Sequence, residues 1–278
     1  MNSIKDESEK LREVFAQAVA IMARLRAPDG CPWDREQTFA SIQRHTLEET
    51  YEVLDAIDRQ HWPDLKDELG DLLLQVLFYA QMAQEAGYFT LRDVLENLNA
   101  KLVRRHPHVF GDLQGVESAE KVLVAWDAIK KSEKAARGDK PEGKSLLDDV
   151  PRAFPALIEA DKIGKKAAGV GFDWTNTEDV LHKLDEEVAE LRSAIASQNL
   201  ENQEEELGDL LFTVVNLSRK LKIAAEFSLR AGNAKFRRRF HAMEQLAADA
   251  KPLQERSAAE LEQLWNTVKK REALQAKL

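Results

Sequence analysis

The sequence predicts an all-α protein made of two tandem copies of one helical domain. Glycine and proline are sparse, with 12 and 8 in 278 residues, so few positions would interrupt a helix. Segments such as LREVFAQAVAIMARL (11–25) place apolar residues three and four positions apart, which is typical of amphipathic helices, and no segment shows a convincing strand alternation. The third observation is a repeat, because ELGDLLLQVLF (68–78) returns as ELGDLLFTVVN (206–216), 138 residues later.

Breaker residues mark where successive helices are expected to end. The first helix is expected to stop at the loop RAPDGCPWD (26–34). Helices through LEETYEVLDAI (47–57) and LLLQVLFYAQMA (72–83) follow, and a further helix covers VLENLNAKLVRR (94–105). The polar stretch RGDKPEGKS (137–145) reads as a linker. The predicted organisation is therefore a first domain at 1–138, a linker at 139–150 and a second domain at 151–278.

The two predicted domains can be aligned residue by residue. LEETYEVLDAI corresponds to DEEVAELRSAI (185–195) with the same offset of 138, and NAKLVRR (99–105) corresponds to NAKFRRR (233–239) with an offset of 134. A tandem duplication of one helical unit explains this pattern better than a short-period repeat does.

Composition and charge exclude several classes of protein. The net charge of −9 disfavours nonspecific binding to nucleic acid or to membrane surfaces. The single cysteine, Cys31, allows no intrachain disulfide, and the charged N-terminal segment is unlike a signal peptide. No apolar run approaches the ~18 residues of a membrane helix. We therefore expect a cytoplasmic protein that binds neither membranes nor nucleic acids.

Repeated acidic pairs are the strongest indication of chemistry. Glu187 and Glu190 lie three residues apart, as do Glu206 and Asp209, so each pair projects from one face of a helix. A short connection makes the two helices antiparallel neighbours, which would bring four carboxylates together. Either protons or a cation must offset such a cluster, and its oxygen ligands favour Mg²⁺, with Mn²⁺ as a substitute. The first domain repeats the set as Glu49, Glu52, Glu68 and Asp71.

A solvated helix face is the alternative for any one acidic pair, and it is the usual role of such pairs. Here the pairs lie beside apolar stripes. The 19-residue separation of Glu187 and Glu206 also recurs between Glu49 and Glu68, which favours a site.

A basic pair follows on a later helix. Lys235 and Arg239 are four residues apart, and Lys101 and Arg105 repeat them in the first domain. Phosphates could be held between such a pair and an acid-bound metal. The alternative is a basic helix end that interacts favourably with the helix dipole.

These motifs closely resemble the MazG family of nucleoside triphosphate pyrophosphohydrolases. The resemblance covers nearly the whole chain and includes GCPWDREQTFASIQRHTLEETYEVLDAI (30–57), KLVRRHPHVFGD (101–112) and NAKFRRRF (233–240). The family's E-E-x-x-E and E-x-x-D signature is intact in both halves. The resemblance implies an all-α fold in which helices of a homodimer form four-helix bundles. It also implies Mg²⁺-dependent hydrolysis of NTPs and dNTPs to the nucleoside monophosphate and pyrophosphate.

The resemblance also assigns roles to individual residues. It implies that the metal ligands are Glu187, Glu190, Glu206 and Asp209. It implies that the residues near the triphosphate and nucleoside are Lys183, Glu186, Lys235, Arg239 and Trp265. Lys235 and Arg239 would stabilise phosphate charge, and Glu186 would position or deprotonate the attacking water. Core packing is the alternative role for Trp265.

We expect the second domain to be the main catalytic unit. Lys183 aligns with His45, which gives the second domain an additional positive charge beside its acids. Asn216 aligns with Phe78, so an amide could contact the nucleoside there. The first site would then be weaker, regulatory or a scaffold. Two other functions stay open: a narrower helical pyrophosphohydrolase, dUTPase-like or phosphoribosyl-ATP-cleaving, and a non-enzymatic interaction protein that binds Mg²⁺ structurally.

Overall fold

The computed structural model describes residues 2–113, 118–136, 145–247 and 251–275. All regular structure in these ranges is helical, which confirms the predicted all-α class. No helix in the described ranges is both long enough and apolar enough to cross a membrane.

The chain divides into two compact units, Met1–Asp139 and Lys140–Leu278. Part of the predicted linker, residues 139–144, lies outside the described residues, so the linker at 139–150 stays a prediction. Each unit is described below by itself.

The helices described in the first unit are α1 (Asn2–Arg26), α2 (Pro32–Glu36), α3 (Gln43–Asp58), α4 (Trp62–Glu85), α5 (Leu91–Arg105), α6 (Pro107–Phe110) and α7 (Ala119–Ala136). The helices described in the second unit are α8 (Ala156–Ala168), α9 (Thr177–Ser197), α10 (Leu200–Lys220), α11 (Ala225–Ala247) and α12 (Ala258–Gln275), with a 3₁₀ turn at Leu253–Glu255.

A helical hairpin forms the centre of each unit, α3 with α4 and α9 with α10. In the first hairpin Gln60 turns the chain with a φ of 55°, and the His61 side chain caps α4 by accepting a hydrogen bond from the Asp64 N–H. In the second hairpin Gln198 also has a φ of 55°, and Asn199 caps α10. The left-handed residue and the N-cap therefore recur 138 positions apart, so the duplication extends to the backbone conformation.

A further helix packs on each hairpin. In the first unit α1 packs on α4, and the buried cluster consists of Met22, Ile42, Leu77, Phe78 and Met82. In the second unit α8 packs on α10, where a Cβ at Gly164 would lie only 2.6 Å from Asn216 Oδ1. Glycine at position 164 therefore permits the close approach of α8 to α10.

Candidate metal and nucleotide site

An acidic cluster lies between α9 and α10 in the second unit. One carboxylate oxygen each from Glu187, Glu190 and Glu206 can be chosen so that all three lie within 4.8 Å of one another. Glu187 is only 4% exposed because its position on α9 faces α10, whereas Glu190 is exposed and Glu206 is half-buried. The hairpin geometry thus brings together three of the four carboxylates that the sequence predicted. Asp209, the fourth, is exposed and lies outside this 4.8 Å set.

Like charges raise the free energy of this cluster. The pKa of Glu206 is raised above its ordinary value, first by burial and then by the negative charges of Glu190, Asp209 and Glu187. Asp209 is therefore close enough to act electrostatically on the cluster although it is outside the tight set. A bound cation would relieve both contributions.

Lys183 supplies a positive charge inside the same cluster. Its Nζ lies 2.7 Å from Glu186, 3.0 Å from Glu187 and 3.9 Å from Glu190. These contacts follow from helical spacing, since residues three, four and seven positions apart share a face of α9. Hydrogen bonds to Glu186 and then Glu187 hold the pKa of Lys183 well above its ordinary value, so the side chain is charged.

The first unit contains the corresponding cluster with a different membership. Glu49, Glu68 and Asp71 offer carboxylate oxygens within 4.8 Å of one another, and Glu52 lies outside that set. The pKa of Glu49 is raised by burial first and then by Asp71 and Glu52, with a Glu52–Glu49 hydrogen bond contributing. The pKa of Glu68 is raised by burial and then by Glu52 and Asp71.

His45 occupies the position that corresponds to Lys183, and its contacts differ. Its Nδ1 lies 2.9 Å from Glu48, the counterpart of Glu186, and its ring packs edge-on against Trp33 at 6.3 Å between centroids. Among the described residues, no ion pair joins His45 to Glu49 or Glu52. The first cluster therefore has no built-in cation of the kind that Lys183 provides.

The predicted basic pair lies on α11. Arg239 donates from Nε to Glu272 at 2.7 Å and lies over the Trp265 ring at 5.8 Å from its centroid. Lys235 is exposed and forms no hydrogen bond or ion pair with another described residue. Neither side chain has a contact with the acidic cluster among the described residues, so the structure does not bring the basic and acidic groups together within one unit.

The helix-dipole alternative for the basic pair fits one unit only. Arg105 lies in the last turn of α5, where its positive charge interacts favourably with the helix dipole. It also donates a hydrogen bond to Glu133 at 2.7 Å. Arg239 lies within α11, whose last turn has no basic residue. In the second unit the helix-dipole explanation therefore does not apply.

An aromatic cavity beside Trp265 was not predicted. It has a volume of about 490 Å³ and lies between α11 and α12, with apolar walls formed by Phe236, Phe240, Met243, Leu261 and Trp265. The Phe236 and Trp265 rings lie 5.3 Å apart between centroids. The spacing of Phe236 and Phe240, four residues apart on an otherwise basic helix, was the signal in the sequence that could have indicated this surface.

Asn216 lies in the interior rather than at the acidic cluster. It is 1% exposed, its Nδ2 donates to the Phe212 carbonyl at 3.0 Å, and its Oδ1 accepts from Arg219 Nε at 3.3 Å. Both polar ends of the amide are thus used within the unit, which counts against the predicted nucleoside contact. Phe78 is 3% exposed, so the aligned position is interior in both units.

Carboxylates gathered across antiparallel helices, twice in one chain, define an all-α protein with two acidic clusters that could each hold a metal ion. Comparison with known proteins is more specific: the family model described as the MazG nucleotide pyrophosphohydrolase domain matches residues 37–110 and 175–242. Both matched segments include the acidic clusters and the basic pair of their unit. The chain belongs to the MazG family.

Related proteins extend the similarity over most of the chain. It is 50% identical over 262 residues to the nucleoside triphosphate pyrophosphohydrolase of Escherichia coli K12, covering 91% of this chain and 96% of the relative. It is 43% identical over 257 residues to the nucleoside triphosphate pyrophosphohydrolase/pyrophosphatase MazG of Thermotoga maritima, covering 92% and 96%. An uncharacterised Bacillus subtilis protein, YabN, is 43% identical, and the match covers 96% of this chain and 54% of that protein.

Proposed function

We propose that this chain hydrolyses nucleoside triphosphates, both NTPs and dNTPs, to the nucleoside monophosphate and pyrophosphate, with its main site in the second unit. Membership of the MazG family and the activity for which its nearly full-length relatives are named support the reaction class. The observation that carries the site is the set of three carboxylates within 4.8 Å, one of them almost completely buried. Three carboxylates this close need more than the single positive charge of Lys183 to offset them, which a bound dication would supply.

The residues fit a hard divalent cation. All the donors in the cluster are carboxylate oxygens, which suits Mg²⁺, with Mn²⁺ as a substitute. Glu187, Glu190 and Glu206 would hold the ion, with Asp209 as a fourth ligand or as a nearby charge. When bound, such an ion neutralises phosphate oxygens and lowers the pKa of a coordinated water.

The remaining side chains bind, orient and move protons. Glu186 is exposed next to the cluster, so its carboxylate is placed to accept a proton from the water that attacks the α-phosphorus. Lys235, with no partner among the described residues, is available to a phosphate oxygen. Arg239 must share its guanidinium between phosphate and Glu272. Trp265 and the aromatic cavity offer an apolar surface for a nucleobase.

A homodimer is the second part of the proposal. Leu207, Leu211 and Val214 form a stripe along α10, each 40–50% exposed, and Leu69, Leu73 and Val76 repeat it along α4. An exposed apolar stripe on a helix next to a site indicates a partner surface. A second copy is a suitable partner because two-fold association pairs a surface with itself.

Glycine at position 208 supports close helix packing from a second copy. A glycine inside a helix costs about 0.5–1 kcal/mol relative to alanine. Nevertheless, a Cβ at Gly208 or at Gly70 would meet nothing within 4 Å in the described chain. The requirement for glycine in both units is explained if a neighbouring helix or substrate approaches there.

A product assay tests the proposed reaction. The chain is incubated with each NTP and dNTP and Mg²⁺, and both products are identified by ion-exchange chromatography. We expect the monophosphate and pyrophosphate in equal amounts, and none in excess EDTA. Orthophosphate as the product, or no turnover of any nucleotide, would contradict the proposal. Turnover of only one nucleotide would instead indicate the narrower enzyme.

A further inference from the structure

The Lys183 ammonium lies where it must compete with a cation at the acidic cluster. It contacts three carboxylates, and two of them, Glu187 and Glu190, are proposed metal ligands. An ordinary i,i+4 pair lies on a solvated helix face and contributes little. This lysine instead reaches Glu187, whose side chain is 5% exposed, so it neutralises a buried charge.

The Lys183 side chain can move out of the cluster. Its side chain is 33% exposed, and its flexible four-carbon stem can carry the ammonium from the carboxylates towards solvent. A dication held by Glu187 and Glu190 would lie beside the ammonium and repel it. A triphosphate arriving with that dication brings several negative charges, which would accept the displaced lysine.

We propose that Lys183 is an exchangeable counterion that holds the cation site closed to free metal and opens it to the metal–nucleotide complex. This inference rests on the proposed function and adds selectivity for the loaded nucleotide to it. Free metal must displace the lysine without compensation, whereas a metal–triphosphate complex provides a new partner for the displaced charge. The binding of the metal ion and the binding of the nucleotide are therefore coupled through the Lys183 side chain, and this coupling is reciprocal.

The first unit provides the structural contrast. His45 contacts Glu48 and Trp33 and forms no ion pair with a carboxylate of the first cluster in the described chain. No lysine or arginine of the described chain has an ion pair with Glu49, Glu68 or Asp71 in that cluster. Counterion exchange is thus a property of the second unit.

The test is a Mn²⁺ titration of the full chain followed by electron paramagnetic resonance. Glu49→Gln and Asp71→Asn are introduced in every sample so that the first cluster does not contribute. Lys183→Met is compared with the unaltered lysine and with Lys183→Arg, which keeps the charge. Without nucleotide, we expect Lys183→Met to bind Mn²⁺ about tenfold more tightly, because a competing charge is removed. Lys183→Arg should stay close to the unaltered lysine.

A second titration uses Mn²⁺ with α,β-methylene-ATP, in which the scissile oxygen is replaced. Here we expect Lys183→Met to bind the complex about tenfold more weakly, since a phosphate partner is lost. Opposite changes in affinity for free Mn²⁺ and for the Mn²⁺–nucleotide complex indicate counterion exchange. If Lys183 were merely structural, its substitution would lower both affinities. Unchanged, weaker or absent Mn²⁺ binding by Lys183→Met without nucleotide overturns the inference. Pyrophosphate release by the unaltered chain reports on the proposed function separately.

Discussion

The two acidic clusters have the same backbone framework and different charge balance. Glu187 and Glu206 correspond to Glu49 and Glu68, and both pairs belong to a tight carboxylate set. The second cluster has Lys183 within hydrogen-bond distance of a buried glutamate, whereas in the first the pKa of Glu49 is raised by burial and by the negative charges of Asp71 and Glu52. Within the described residues, only the second cluster is paired with a basic side chain. Duplication thus preserved the carboxylates while the means of compensating their charge diverged.

The same divergence appears in the ion pairs that support each hairpin. In the first unit Arg26 of α1 binds Glu85 at the end of α4 and lies over the Phe78 ring. In the second unit Arg219 of α10 binds Asp173, and its guanidinium also donates to Asn216. Phe78 and Asn216 lie at aligned positions and each contacts an arginine. The arginine comes from α1 in the first unit and from α10 in the second. Their difference therefore reflects core packing, which weakens one of the two sequence arguments for a catalytic second unit.

Substituting one proposed metal ligand in each cluster should give the largest difference in kcat between the two units. Glu206→Gln preserves shape and removes one ligand charge, so we expect a loss of more than a hundredfold in kcat for NTP hydrolysis. Glu68→Gln is the matched control in the first unit and should cost less than threefold. Steady-state pyrophosphate release measures both. Near-normal kcat for Glu206→Gln would show that Glu206 holds no metal.

Adding a methyl group at the motif glycines should separate helix propensity from association. Gly208→Ala favours the helix by about 0.5–1 kcal/mol. If a second copy packs there, overpacking should nevertheless weaken the dimer by about 1–3 kcal/mol, roughly 5- to 150-fold in the dissociation constant. Sedimentation equilibrium gives that constant, and Gly70→Ala is the matched variant. A tighter or unchanged dimer in both variants would rule out close packing at these glycines.

The supporting ion pairs should differ in their contribution to stability. Asp173 is 21% exposed and accepts from Arg219 at 3.0 Å and Lys220 at 2.8 Å, so we expect Asp173→Asn to lower the free energy of unfolding by about 2 kcal/mol. Glu85 is 38% exposed, and Glu85→Gln should cost about 1 kcal/mol or less. Urea unfolding monitored by circular dichroism measures both.

The stability difference at Asp173 should depend on pH in one direction. Hydrogen bonds from Arg219 hold the pKa of Asp173 below its ordinary value. The pair therefore stabilises the folded state above the unfolded pKa of about 3.9, and this contribution is lost as the pH falls below it. The difference in free energy of unfolding between the parent and Asp173→Asn should therefore decrease as the pH is lowered from 6 to 3. A difference that increases over this range would contradict the stabilising role of the ionised Asp173.

The sequence predicted the helical hairpins and their acids because both depend on local periodicity and a short connection. Glu187 and Glu206 come together as predicted, since i,i+3 spacing and an antiparallel turn determine their faces. It did not predict that Asn216 is interior, because burial depends on how closely α8 approaches α10. The aromatic cavity was missed for the same reason, as it requires α12 to pack on α11.

The central claim is that catalysis is concentrated in the second unit, and a matched pair of substitutions tests it most directly. Glu190→Gln and Glu52→Gln change the same aligned position, and kcat for pyrophosphate release is measured for both, with folding and oligomeric state checked by circular dichroism and size-exclusion chromatography. We expect Glu190→Gln to remove most activity and Glu52→Gln to retain more than half. Equal losses would mean that both units are catalytic or obligately coupled. Loss with Glu52→Gln alone would assign the active site to Glu49, Glu52, Glu68 and Asp71 and contradict the account.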